Sequence, residues 1–176
     1  MQNGEWRVST YVLLVAFLVA GCRPALCAPR NLGDDHWFRP TADAVISSPL
    51  AWDVDGDGVK EIAIGAWDGY FYLLDREMDD LPGWPRYSRK GFFSSPALAD
   101  LDGDGQSEIV AGSEVGKLFV WHVDGRDVEG FPVDLGYKLW ASPTVLDGGR
   151  IAIGGRGRMF VLDARGQAVA GWPRPL

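Results

Sequence analysis

A nine-residue acidic stretch occurs twice in this chain, 47 residues apart. Asp53-Val54-Asp55-Gly56-Asp57-Gly58-Val59-Lys60-Glu61 returns as Asp100-Leu101-Asp102-Gly103-Asp104-Gly105-Gln106-Ser107-Glu108, with every acidic position kept. A repeat of this period predicts a structural unit used more than once, because arrays, solenoids and propellers reuse units of this size. Carboxylates at alternate positions of a glycine-rich loop also suit a hard cation such as calcium. That ion takes six to eight oxygen ligands at about 2.3–2.6 Å. Without a counter-ion, four carboxylates so close together would repel one another.

The acidic stretch sits inside a longer pattern. Ser47-Ser48-Pro49 opens the first unit; after the loop, the run from Glu61 to Gly65 reads as a strand. Asp68-Gly69 is a hairpin-turn signal. Tyr70 to Leu74 reads as the next strand, and Pro82-Gly83-Trp84-Pro85 closes the unit. The second unit repeats this order: Ser94-Ser95-Pro96, the loop, Glu108 to Gly112, a turn at Gly116, Lys117 to Trp121, and Gly130-Phe131-Pro132. A third runs from Ser142-Pro143 to Gly171-Trp172-Pro173, with most of its missing residues lost from the acidic loop. Asp147 keeps the position of Asp53 and Asp100, but Arg150 replaces Glu61 and Glu108. One carboxylate beside an arginine does not make a cation site, so the third unit is expected to be metal-free. A salt bridge between Asp147 and Arg150 is expected in its place.

Each unit holds about four short strands rich in aromatic and branched residues, separated by turns. Four-stranded units of 40–50 residues point to an all-β fold of β-propeller-type blades, each of four antiparallel strands. The expected blades are 41–87, 88–134 and 135–176, and a three-repeat solenoid is the competing arrangement. The segment around Trp37 occupies the outer-strand position of a preceding unit. Propellers hold about four to eight blades. The expectation is therefore an incomplete propeller, either a piece of a longer protein or a chain that self-associates through open flanks.

Residues 1–28 read as an export signal. Arg7 precedes an apolar run from Tyr11 to Ala20, too short to cross a bilayer as a helix, which needs about 20 residues. It has the length of a signal-peptide core. Val19-Ala20-Gly21-Cys22 is similar to a bacterial lipobox, which would put cleavage before Cys22 and a lipid on its thiol; plain secretion with cleavage near Cys27-Ala28 is the alternative. Residues 29–40 form a polar connector. Export to the cell surface or the extracellular space is expected in either case, with membrane contact only through the lipid anchor. The net charge of −7 argues against nucleic acid, whose partners carry a basic stripe.

The pattern Ser-Pro-x-x-x-Asp-x-Asp-Gly-Asp-Gly-x-x-Glu-Ile-x-x-Gly, followed by an aromatic strand and Gly-Trp-Pro, resembles the FG-GAP/VCBS repeats, which are similar to the blades of integrin α-subunit propellers. The resemblance covers residues 47–176. It implies calcium held by Asp53, Asp55, Asp57 and Glu61 with the carbonyl of Val59. In the second unit it implies Asp100, Asp102, Asp104 and Glu108 with the carbonyl of Gln106, giving two calcium ions per chain. EF-hand loops start alike but need a bidentate glutamate at position 12; Ile64 and Ala111 stand there.

Trp84, Phe131 and Trp172 recur at equivalent places and are expected to pack between blades. Trp52 and Trp67 break the repeat and are candidates for stacking on a ligand. His36 and His122 have no His or Cys partner at ligand spacing and read as structural or solvent-facing. The sequence contains no Gly-x-Ser-x-Gly, His-Glu-x-x-His or phosphate-loop motif, so no catalytic residue is assigned and the chain does not read as an enzyme. The expected function is a calcium-binding scaffold for adhesion or binding at the cell surface, with a protein or glycan partner. The alternative is the N-terminal part of a carbohydrate-active enzyme, similar to polysaccharide lyases, whose catalytic residues lie outside this chain.

Overall fold

The structure, a computed structural model, describes residues 39–176. The export signal, Cys22, Cys27, His36, Trp37 and most of the connector lie outside the described residues. Residues 43–176 form one compact unit, which contains every described strand.

Among the described residues, twelve strands form three four-stranded sheets. The first contains β1 (Leu50–Trp52), β2 (Glu61–Gly65), β3 (Tyr70–Leu74) and β4 (Arg86–Tyr87); the second β5 (Ala97–Ala99), β6 (Glu108–Gly112), β7 (Lys117–Trp121) and β8 (Val133–Asp134); the third β9 (Thr144–Leu146), β10 (Arg150–Gly155), β11 (Arg158–Leu162) and β12 (Arg174–Pro175). Each sheet is an antiparallel meander whose strand order follows the sequence. The acidic loops therefore leave at the end where β3 turns to β4 and β7 to β8. The β2–β3 and β6–β7 hairpins, and the linkers between blades, lie at the other end.

Side chains alternate between the two sheet faces, and both faces of the middle blade are used. Ala63, Phe71 and Leu73 of the first blade meet Ile109, Ala111, Phe119 and Trp121 of the second in one buried cluster. The opposite face of the second blade, Val110, Leu118 and Val120, meets Ile151, Ile153, Phe160 and Leu162 of the third. Fully burying one such side chain is worth about 1.5–3 kcal/mol, so these interfaces carry most of the apolar stabilisation. Trp84 and Phe131 are buried at equivalent places, as expected. Trp84 Nε1 also donates to the Val123 carbonyl of the next blade (2.6 Å). Trp172, at the same place in the third blade, is only half-buried.

The motif residues have structural reasons that spacing alone does not reveal. Ser47 Oγ donates to the Gly65 carbonyl (2.9 Å) and accepts the Gly65 N–H (3.2 Å), and Ser94 does the same with Gly112. The next serine links blades: Ser48 N–H donates to Ser95 Oγ and Ser95 N–H to Ser142 Oγ, both at 3.0 Å. Ala141 stands at the third counterpart of Ser47 and lacks the hydroxyl. Gly65 is needed because a Cβ there would lie 2.4 Å from Phe92 Cβ. Phe92 belongs to the linker and inserts into the first inter-blade cluster.

One detail differs from expectation. Arg150 Nε donates to the main-chain carbonyl of Asp147 (3.0 Å), and no carboxylate pairing joins the two among the described residues. The shortened loop is a tight turn over 147–149 between Leu146 and Arg150, with Gly148 and Gly149 at φ 71° and 68°. Such a turn holds the arginine along the backbone rather than against the carboxylate.

Candidate metal centre

Each acidic loop wraps its backbone around its own carboxylates. Asp53 Oδ1 accepts the Gly56 N–H (2.7 Å) and Oδ2 the Gly58 N–H (2.9 Å). Asp55 Oδ1 accepts from Asp57 N–H (3.1 Å), and Asp57 Oδ1 from Val59 N–H (2.7 Å). The second loop repeats this arrangement with Asp100, Asp102 and Asp104 accepting from Gly103, Gly105, Asp104 and Gln106. Gly56 and Gly58, at φ 81° and 87°, adopt the left-handed backbone that turns these N–H groups inward, a conformation available to glycine at little steric cost.

Oxygens of Asp53, Asp55 and Asp57 converge within 4.8 Å of one another, and so do those of Asp100, Asp102 and Asp104. A carboxylate oxygen has about two lone pairs, so an oxygen with one N–H bond can still accept a cation. The donors are all oxygen, the chemistry of a calcium site, and the residues fit that ion. Asp53 is held below its ordinary carboxyl pKa chiefly by the Gly58 N–H, against a smaller desolvation effect.

The two glutamates are placed differently from the aspartates. Glu61 and Glu108 are buried at the starts of β2 and β6, opposite Trp52 and Ala99. Each Oε2 accepts a main-chain N–H within the loop, from Val54 (2.9 Å) and Leu101 (2.7 Å). They tie the loop entrance to the strand. Glu61 is outside the first converging set, whereas Glu108 comes within 4.8 Å of both Asp102 and His122. His122 Nδ1 lies 3.5 Å from Glu108 Oε1. Burial pushes the Glu108 carboxyl above its ordinary value, opposed by the Leu101 N–H.

Sequence spacing alone gives His122 no ligand role, yet the fold brings it beside the second loop. The available signal was its break with the repeat, since Asp75 and Asp163 stand at the equivalent turn positions. Asp75 and Asp163 close their turns by accepting N–H groups of Asp79 and Gln167. The imidazole lies over the neighbouring carboxylate instead. A groove of about 750 Å³ runs between the two loops, with Val54, Asp55 and Leu81 on one side and Asp104, Gln106 and His122 on the other.

The two candidate stacking tryptophans have different environments. Trp52 is half-buried and packs on the first inter-blade cluster. Trp67 is 46% exposed at the opposite end of the sheet.

The strand order, the stacked sheets and the loops define a stack of β-propeller blades. No protein-family model matches the sequence, and neither does any curated protein. Solved structures do match. The chain is similar to BamB from Moraxella catarrhalis (TM-score 0.56, 20% identity, 80% of this chain and 39% of that one). It is also similar to BBS1N, solved in complex with ARL6DN (TM-score 0.56, 17% identity, 78% of this chain and 42% of that one). Both are β-propellers, and at these identities the likeness shows the fold. The chain spans about two fifths of the length of each.

Proposed function

We propose that this chain is an exported, calcium-stabilised scaffold of FG-GAP/VCBS type that binds a protein partner at the cell surface, anchored by a lipid on Cys22. The observation that carries the calcium reading is the convergence of three aspartates in each of two loops. The loops project from the same end of adjacent blades, so two ions would rigidify the lower rim of both sheets. A ligand bound only by the folded state stabilises it by RT ln(1 + [L]/Kd), about 2.7 kcal/mol at a hundredfold excess. Binding is the role that a propeller scaffold without an assigned catalytic group supports, and the similarity to BBS1N, a propeller seen with a bound partner, is in keeping with it.

Calorimetric titration of the chain with calcium tests this reading. A stoichiometry near two, with a melting temperature that falls on chelation, is expected. No heat and an unmoved melting curve would refute the calcium reading.

A further inference from the structure

The end of the blades opposite the acidic loops has a different chemistry. The β2–β3 hairpin carries Trp67, and the linkers entering the second and third blades carry Phe93 and Trp140. These rings form a chain. Trp67 and Phe93 meet edge to face at 5.0 Å, and Phe93 and Trp140 are 6.0 Å apart. Trp67 is 46% exposed and Trp140 60%. Ile46, which holds the equivalent linker position before the first blade, is 52% exposed.

The arrangement is held in place by its surroundings. Main-chain bonds tie the linkers to the hairpins, with Phe92 N–H donating to the Ala66 carbonyl (3.0 Å) and Glu114 N–H to that of Gly91 (3.0 Å). The Trp67 indole lies against Gly91, where a Cβ would come within 2.4 Å of Cδ1. Rings exposed and immobilised in this way lose little entropy when a partner covers them.

Basic residues outnumber acidic ones in these linkers and hairpins, where Asp43, Asp68 and Glu114 are the nearby carboxylates. Lys138 lies 5.7 Å from the centre of the Trp140 ring and pairs with Glu114. Arg89, Lys90 and Arg156 occupy the same linkers and hairpins and form no ion pair among the described residues. The carboxylates of both acidic loops are at the other end. An apolar core with a charged rim is the anatomy of a protein-binding surface, and tryptophans are favoured anchors there.

Resting on the scaffold reading above, we infer that this end of the blades is the docking surface, and that its occupant is an acidic polypeptide segment whose apolar side chains seat on Trp67, Phe93 and Trp140 while its carboxylates meet Arg89, Lys90 and Arg156. Charge complementarity selects the acidic partner. Ring geometry selects a peptide over a polysaccharide. Successive interplanar angles of 83° and 48° make corners that fit protruding side chains, where sugar rings would need coplanar faces in a row.

The test uses the full chain with calcium present and an array of twelve-residue peptides combining Asp and Glu with Leu, Phe and Trp. Matched peptides carrying Lys at the acidic positions, and polygalacturonate, serve as the other probes. Acidic peptides should bind at least tenfold more tightly than their Lys counterparts. Trp67→Ala and Trp140→Ala should each lose at least tenfold, and the exposed surface change Lys90→Glu should reduce or reverse the charge preference. Added salt should weaken binding. Calcium stoichiometry is titrated separately on the same unaltered chain, so the docking and cation readings fail separately. Absence of peptide binding, equal binding of both charges, preference for polygalacturonate, or binding indifferent to the tryptophan variants would each overturn the inference.

Discussion

Gly83 provides the sharpest test of how these blades are held together. It sits in the closing Pro-Gly-Trp-Pro motif at φ 89°, and a Cβ there would lie 2.1 Å from the carbonyl oxygen of Asp124 in the next blade. Gly136 has a similar φ, 73°, but nothing within 4 Å of its would-be Cβ. Gly83→Ala and Gly136→Ala therefore share the left-handed backbone penalty of about 1–2 kcal/mol and differ in the inter-blade clash. Overpacking adds about 1–3 kcal/mol, so Gly83→Ala should cost about 2–5 kcal/mol and Gly136→Ala about 1–2. With a urea dependence of about 2 kcal/mol/M for a domain of this size, the unfolding midpoint should fall by roughly 1–2.5 M and 0.5–1 M respectively. Urea unfolding followed by tryptophan fluorescence, with chelator present throughout, measures both. Equal losses would show that the blades do not approach at Gly83, and the inter-blade geometry would be wrong there.

Three further outcomes are expected. Ser47→Ala removes both bonds to Gly65 and leaves buried main-chain groups unpaired, at a cost of about 1–3 kcal/mol; a loss below 0.5 kcal/mol in urea unfolding would refute the bridging role. Asp55→Ala should reduce the calcium stoichiometry from two to one, because the second triad lies in its own blade; loss of both ions would mean that the sites are coupled. In chelator, Glu108 contributes a pH dependence of definite sign. Its folded-state pKa is raised by burial, so its contribution is fully present below the unfolded value near 4.5 and is lost as pH rises through the folded value. Glu108→Gln should flatten that part of the stability profile, and an unchanged profile would contradict the assignment.

The repeat, the two central strands of the first two units and the shortening of the third acidic loop were legible in the sequence. They depend on short-range rules: alternation along a strand, glycine at turns, carboxylates at every second loop position. The register of Glu61 against Trp52 and of Glu108 against Ala99 was decided only by the pairing of strands across the loop. The tertiary structure decided what joins residues far apart in the chain. Ser47 bonds Gly65, Ser48 bonds Ser95, and Trp84 bonds Val123 across blades, because stacking brings together positions that no local pattern links. It also separated the two unusual tryptophans. Trp52 belongs to a strand whose side chain turns into the inter-blade core, whereas Trp67 belongs to a hairpin tip. Finally, His122 comes beside Glu108 because the β7–β8 turn and the β5–β6 loop leave the sheet at the same end. Sequence spacing gives both loops their residues; only antiparallel pairing puts them side by side.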